Sequence, residues 1–317
     1  IIFTSGATEA NNTAILGLAR KAPPRRRRIL ISTVEHKCVI GAAHVAAELF
    51  GMHVETVGVD AAGHLDAAAL ARPLDEDVLL VAVIGAHNEF GTLQHLDALA
   101  RLCEKAGAVL HVDGAHMPAA GPIDVRALGC GSLSLTAHKI YGPKGVGVLY
   151  LRRDLQSRFA PLIVGGSQQS GRRAGTAPLP LCAAFAEALA LMPGNRTEIA
   201  ALRDALWTAL QTELGPQVAL NGPLLAERHP GNLNVRIAGI DARALIARVQ
   251  PRLAISNGSA CNSGIVTPSE CLLALGLTPG QANASLRFGV GRYSDPSQIA
   301  QAAALVVAAV REQEKSS

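Results

Sequence analysis

Ser134-Leu135-Thr136-Ala137-His138-Lys139-Ile140-Tyr141-Gly142-Pro143-Lys144-Gly145-Val146-Gly147 reads as a short apolar strand that runs into a glycine-rich turn and carries a lysine just past the strand end. A lysine in that setting is open to desolvation, which lowers its pKa and lets its amine form a Schiff base. Thr136 and His138 beside it suit a phosphate. The competing reading is an ordinary loop lysine. The glycines do not make a P-loop, because no G-x-x-x-x-G-K-[ST] occurs in the chain.

Outward from this segment, short runs rich in Ile, Val and Leu alternate with longer amphipathic ones from residue 1 to about 150. The spacing predicts strands at Ile29–Ser32, Val54–Val57, Val78–Ile84, Val109–Val112, Ser132–Thr136 and Val146–Leu151, and helices at Glu9–Arg20, Lys37–Phe50 and Asp97–Lys105. Most of these strands are apolar without alternation, so an α/β fold with a mostly parallel sheet buried on both faces is expected. Ligands of such sheets collect at the carboxyl ends of the strands. Beyond about residue 180 the texture becomes Ala/Leu-rich and helical, at Leu181–Met192 and Glu198–Leu214. Strands at Leu233–Ile237 and Leu253–Ser256, a helix at Arg243–Val249 and a final helix from Pro296 follow. A large domain over 1–195 and a smaller C-terminal α/β domain over 196–317 are the expected division.

The chain has 317 residues, 49% hydrophobic and 17% charged, enough to bury one large core or two ordinary ones. No apolar run reaches the roughly 18 residues of a membrane helix, so no membrane association is expected. The six cysteines show no CxxC pair and no spacing that suggests zinc or a disulfide framework, which points to a reducing, cytoplasmic setting. Formal net charge is only +4. The basic run Arg25–Arg28 reads first as a solvated loop before a strand and second as a contact for an anionic partner, and direct nucleic-acid binding is not expected. The opening Ile1-Ile2-Phe3-Thr4-Ser5 reads as strand, so a preceding segment is expected in the full protein.

Two further segments bear chemistry. Leu110-His111-Val112-Asp113 places a carboxylate at the carboxyl end of an apolar strand, either to hold a protonated pyridine nitrogen or to cap the next helix. Thr4-Ser5-Gly6-Ala7-Thr8-Glu9 is a strand-to-helix junction whose free amides, Ala7 among them, and Thr8 hydroxyl make a phosphate seat.

These segments, together with Glu35-His36-Lys37, Asn88-Glu89-Phe90-Gly91, Arg173-Ala174-Gly175-Thr176, Gly258-Ser259-Ala260-Cys261 and Leu286-Arg287-Phe288, occur in the order and spacing of the NifS/IscS-type cysteine desulfurases. The chain resembles that family over essentially its whole length. The resemblance implies an aspartate-aminotransferase-like fold of the pyridoxal-phosphate transferases, fold type I and class V, working as a homodimer. By the same resemblance Lys139 is the Schiff-base lysine, Asp113 the partner of the pyridine nitrogen, and Asn88 a donor to the ring hydroxyl. His36 is stacked on the ring and handles protons, while Ala7, Thr8, Thr136 and His138 surround the phosphate, with Thr176 reaching the neighbouring subunit's site. Arg287 clamps the substrate carboxylate, and Cys261 takes the sulfur as a persulfide while L-cysteine leaves as L-alanine. An acceptor protein, such as an iron-sulfur scaffold or a tRNA-thiolation enzyme, would receive it.

The surroundings of Cys261 agree with that role: Asn257, Gly258, Ser259, Asn262, Ser263 and Gly264 are not the apolar neighbours of a structural cysteine. Cys38, Cys103, Cys182 and Cys271 fall in apolar helical patterns and Cys130 in a short link, so core or incidental roles are expected for all five. Four positions depart from the family. His116 stands where glutamine is usual, beside the cofactor, His87 replaces an asparagine, and Gln169-Ser170 replaces a Glu-Arg pair. They keep other class V chemistry in view: selenocysteine lyase, epimerase or aminotransferase. A catalytically silent sulfur carrier is the alternative of a different kind.

Overall fold

The computed structural model describes residues 1–192, 196–257 and 267–316. It divides into two compact units, one of Ile1–Val59, His64–Ala86 and Gln94–Pro193, the other of Asp60–Gly63, His87–Leu93 and Gly194–Ser317. The two excursions at 60–63 and 87–93 carry no marker in the sequence.

The first unit opens with β1 (Ile2–Thr4) and α1 (Ala7–Arg20), followed by β2 (Arg28–Ser32), α2 (Lys37–Phe50) and β3 (His53–Val57). Next come α3 (Ala67–Ala71), β4 (Val78–Ile84), α4 (Leu96–Ala106) and β5 (Val109–Asp113). Short helices α5 (Met117–Ala120) and α6 (Val125–Leu128) lead to β6 (Ser132–Thr136), a 3-10 turn at Ala137–Lys139, β7 (Gly147–Leu151) and α7 (Leu179–Ala190). Its sheet has the order β1-β7-β6-β5-β4-β2-β3, parallel except where β7 runs against both neighbours. All seven residues of β4 are buried, as a central strand covered on both faces requires. Replacing one of its leucines by alanine would cost about 2–5 kcal/mol.

Because β2, β4, β5 and β6 are parallel, their carboxyl ends at Ser32, Ile84, Asp113 and Thr136 lie along one edge of the sheet. β1 ends there too, since Thr4 and Thr136 both register with Gly147. Gly147 must lack a side chain: a Cβ would sit 2.5 Å from the Leu135 carbonyl and 2.7 Å from Gly6. That close approach brings the start of α1 against the end of β6.

The basic run before β2 is solvated only in part: Arg25 and Arg27 are exposed, whereas Arg26 and Arg28 are drawn into the fold. Arg26 is buried and donates to the Val78 and Ala106 carbonyls, while Arg28 opens β2 and forks onto Glu55, with Asp75 beside it. Carbonyls at strand and helix ends recruit Arg26, and a carboxylate on the neighbouring strand recruits Arg28, so neither guanidinium is left for an outside anion.

The second unit consists of α8 (Arg196–Leu214), β8 (Val218–Leu220), β9 (Asn232–Ile237), α9 (Ala242–Val249), α10 (Glu270–Ala274), α11 (Pro279–Asn283), β10 (Ser285–Gly289) and α12 (Pro296–Ser316). Its three strands form an antiparallel sheet in the order β10-β9-β8, and α8, α9 and α12 supply Leu206, Leu210, Leu245, Val306 and Val310 to the core behind it. The strand expected at Leu253–Ser256 does not form: only Ser256 makes an isolated bridge, to Arg287. Four residues just after Pro251, meeting the sheet at one position, are too few for a ladder. No helix among the described residues is long and apolar enough to cross a membrane.

Candidate functional site

The sheet edge of the first unit collects most of the residues singled out in the sequence. Lys139 ends the 3-10 turn that follows β6, with His138 and Lys139 both exposed and Thr136 buried behind them. Tyr141 adopts a left-handed φ of 66°, rare for a non-glycine residue, and so turns the chain sharply after the lysine. The turn is buttressed from below, where Cys182, Phe185 and Ala188 of α7 pack on Ala137 and Ile140. Thr136 Oγ1 lies 3.0 Å from His138 Nδ1. Desolvation, then the Lys139 and Lys144 charges, lower the pKa of that imidazole.

Opposite, the N-terminus of α1 has Gly6 as its N-cap residue with no side-chain cap, so the first-turn amides of this 14-residue helix are not satisfied by a capping side chain. A Cβ on Gly6 would stand 3.7 Å from Thr136 Oγ1, so the start of α1 lies close to the end of β6. Glu9, next to Thr8, is tied to Arg173 at 2.9 Å and to the Ser5 amide at 2.8 Å; these hydrogen bonds outweigh burial and lower its pKa. Gln169, in a position read only as a departure, holds β1 through both amide atoms: Oε1 accepts from Phe3 N at 2.7 Å and Nε2 donates to Phe3 O at 3.0 Å.

Asp113 is buried at the end of β5. Its Oδ1 accepts from the Ala115 amide at 3.0 Å and from Ser134 Oγ at 3.4 Å, and its Oδ2 accepts from Asn11 Nδ2 at 2.8 Å. The Asn11 oxygen faces His111 Nε2 at 2.9 Å, and His111 Nδ1 faces Ser132 Oγ at 2.9 Å. An amide oxygen only accepts, so His111 carries its proton on Nε2 and takes the Ser132 hydroxyl hydrogen on Nδ1. Complete burial pushes the His111 pKa down to about 3, which keeps the ring neutral and this direction of donation fixed.

The same Asn11 amino group donates to Cys38 Sγ at 3.2 Å, and Cys38 Sγ lies 2.9 Å from His36 Nδ1. His36 is the N-cap of α2, its Nδ1 accepting from the Cys38 amide at 3.1 Å. Cys38 packs at the margin of the first unit's core, as its helical pattern suggested, and its sulfur also meets polar groups. It is half-buried in a polar cluster in which its sulfur, a His36 nitrogen and an Asp113 oxygen all lie within 4.8 Å of one another. Burial raises the thiol pKa, hydrogen bonds from Asn11 and Thr8 oppose it, and the charges of Asp113 and Glu35 add to it. Behind His36, Glu35 is fully buried: Oε1 accepts from Ser32 Oγ and the Ile84 amide, whereas Oε2 has no partner. Desolvation pushes its pKa up to about 8, with the Asp113 charge adding to the rise.

Cys103, Cys130 and Cys182 are buried as expected, and Cys271 is half-buried in α10. His116 is the half-buried residue before α5, and Thr176 is exposed in the stretch before α7. In the second unit, Asn88 and Arg287 come together, with Arg287 Nη1 donating to the Asn88 carbonyl at 3.2 Å. The loop carrying Asn88 is held by Asn232 and Asn234, both donating to the Glu89 carbonyl at 3.0 Å, and by His87, whose ring stacks on Phe90 at 3.6 Å. Cys261 lies outside the described residues.

Asn11, Cys38, His111, Ser132 and Ser134 are the participants that motif reading did not single out. The signal for two of them was present as His-x-Cys at 36–38 and His-x-Asp at 111–113, a spacing that repeats one face of a strand or spans a helix cap.

Residues 1–301 match the family model described as Aminotransferase class-V. The chain belongs to the class-V aminotransferase family. Among curated relatives of this family it is 37% identical over 320 residues to a mitosomal cysteine desulfurase of Trachipleistophora hominis, covering 98% of this chain and 72% of that protein. It is 36% identical over 316 residues to the cysteine desulfurase IscS of Ehrlichia chaffeensis, covering 98% and 76%. Among solved structures, a NifS-like protein superposes with a TM-score of 0.87 at 26% identity, covering 98% of this chain and 82% of that one. SspA in complex with cysteine superposes with a TM-score of 0.80 at 30% identity, covering 93% and 82%.

Proposed function

We propose that the protein is a pyridoxal-phosphate-dependent cysteine desulfurase that takes sulfur from L-cysteine onto Cys261 and releases L-alanine. The observation that carries this is the convergence, on one sheet edge, of a solvent-facing lysine, a buried carboxylate with three hydrogen-bond donors, and a helix N-terminus whose amides have no side-chain cap. That set matches an aldehyde, a pyridine nitrogen and a phosphate in chemistry. When bound, the cofactor would supply an electron sink for charge developed at the substrate Cα.

The chain's own residues have the following parts in this reading. Lys139 anchors the cofactor and then takes the Cα proton on Nζ. Asp113, which accepts from three donors, would hold a proton on the ring nitrogen. His36 covers the ring and exchanges a proton at Nε2, since Nδ1 already accepts from the Cys38 amide. Ala7, Thr8, Thr136 and His138 seat the phosphate, Asn88 and His116 contact the ring, and Arg287 forks onto the substrate carboxylate. Cys261 acts as thiolate on the substrate sulfur. The sulfur then passes to an acceptor protein of iron-sulfur or tRNA-thiolation chemistry in a reducing, cytoplasmic compartment.

A homodimer is part of the proposal. The outer face of α7 exposes Leu179, Ala183 and Leu189, and the stretch before it exposes Leu162, Ile163 and Val164, an apolar surface out of keeping with a monomer. Thr176 lies between these two segments in sequence. The test is alanine release from L-cysteine by the reconstituted protein, with mass analysis of Cys261. Alanine with a persulfide at Cys261 is expected. Cofactor uptake without either product would turn the assignment to another class V reaction. Cys261→Ala should keep the cofactor absorption band and lose sulfur transfer.

A further inference from the structure

We infer that the cofactor-free chain holds a soft divalent metal ion of the zinc class on His36, Cys38 and Asp113, and that this ion and the cofactor exclude one another. The metal site stands on its own geometry; its exclusion by the cofactor rests on the reading of Asp113 and His36 given above.

Three donor atoms of three types come from two elements. His36 caps α2, Cys38 lies in its first turn, and Asp113 ends β5, with the donors mutually within 4.8 Å. Four-coordinate zinc places its ligands at about 2.0–2.3 Å from the ion, so the donors of one site lie within about 4 Å of each other. The trio needs only small side-chain adjustments to reach that.

A second observation points to a cation. The sulfur and Asp113 Oδ2 already converge on one electropositive point, the Asn11 amino group, at 3.2 and 2.8 Å. The ring nitrogen His36 Nδ1 faces the same sulfur at 2.9 Å. An ion bound there would replace the Asn11 contacts and take the Nδ1 lone pair from the Cys38 amide. The supporting shell is in place: the Ala115 amide and Ser134 hold the other Asp113 oxygen. Asp113 is buried, Cys38 half-buried and His36 exposed, so the site opens outward and leaves a fourth position for water.

The donor set selects the ion. A thiolate and an imidazole disfavour magnesium and calcium and suit zinc. Binding converts Cys–SH and M²⁺ into a metal thiolate and a proton released to solvent; nothing is oxidised or reduced. One thiolate and one carboxylate then balance the ion's two charges, which a partly buried site requires.

The test begins with protein freed of cofactor by hydroxylamine and gel filtration. Zinc chloride is titrated into it, and bound zinc is measured by atomic emission after dialysis. About one zinc per chain is expected, kept by Cys261→Ser and lost by Cys38→Ser, with affinity falling by more than the ~10–100-fold that loss of an outer-shell partner costs. Zinc kept by Cys38→Ser, or lost only from Cys261→Ser, overturns the site. Should Cys38→Ser unfold, cobalt(II) on the wild-type chain decides: a thiolate-to-cobalt absorption band with tetrahedral visible bands is expected, and their absence overturns it. Pyridoxal phosphate added to zinc-loaded chain should bind only after chelation, and both bound together would overturn the exclusion. A chain that binds zinc but never pyridoxal phosphate would sink the cofactor reading and leave the metal site standing.

Discussion

Each unit buries a polar cluster, and the two are built differently. In the second unit Asn221 Nδ2 donates to Asn234 Oδ1 at 2.8 Å and to Ser285 Oγ at 2.9 Å, while its Oδ1 accepts from Arg236. The outward bonds of this cluster end on backbone carbonyls, Asn234 on Glu89, Ser285 on Gln281, and Arg228 on Asn221 and Pro223. In the first unit the chain of bonds from Ser132 through His111 and Asn11 reaches Asp113 and Cys38, and from Cys38 it arrives at His36, which is exposed. A cluster that closes on backbone specifies a fold. One that starts in the core and ends on a solvent-facing imidazole, beside an exposed lysine, holds side chains in position for something outside the chain.

The largest effect should follow from removing the lysine. Lys139→Ala is expected to lower alanine production by at least about 10³-fold while the thermal midpoint stays near that of the wild type, because the side chain is exposed and its turn is held by α7. A parallel loss of stability would mean that Lys139 is part of the fold. In the closed cluster the outcome should invert. Asn221→Ala leaves Asn234 Oδ1 and Ser285 without a donor and should cost about 1–3 kcal/mol in denaturant unfolding, with kcat/KM unchanged within about twofold. His111→Leu belongs between them. It strips Asn11 of the donor that fixes its amide, so stability and kcat/KM should both fall, the latter by about tenfold. Its acid limb should also flatten. The wild type loses stability as pH drops from about 6.5 towards about 3, because only the unfolded chain binds that proton, and the variant lacks this loss. A stability loss with full activity would sever the first cluster from the site.

Much of this was readable in the sequence, and unevenly so. The strands of the parallel sheet were legible because burial on both faces writes an unbroken apolar run, as in Val78–Ile84. Lys139, Asp113 and Thr8 could be singled out as candidates because each lies at or just past the end of an expected strand, where ligands of parallel sheets bind. Cys38 was read only in part: its packing on the core was legible, and its polar contacts were not. It sits in an apolar helical pattern, and only the register of α2 against β5 turns its sulfur towards Asp113. The excursions at 60–63 and 87–93 were hidden because chain leaving one core for another has no local signature. The closed cluster was equally hidden, since asparagines on β9 look like a polar strand face until Glu89 arrives to accept from them.

The smallest effect, and the sharpest on the comparison, concerns Glu35. It is buried next to the first cluster with one carboxyl oxygen lacking a partner. Desolvation raises its pKa from the ordinary 4.5 to about 8. The folded chain therefore keeps a proton there that the unfolded chain releases, and the stability this contributes is present in full below about pH 4.5 and lost as pH rises towards about 8. Glu35→Gln cannot lose it. Its amide oxygen can still accept from Ser32 and the Ile84 amide, so the variant should be no more stable than the wild type at pH 5 and should gain on it, by on the order of 1–3 kcal/mol, by pH 8.5. Urea unfolding of both proteins at the two pH values reads this directly. A difference that does not change with pH would show that Glu35 is already ionised in the fold and that its second oxygen finds a donor, making the first cluster as closed as the second.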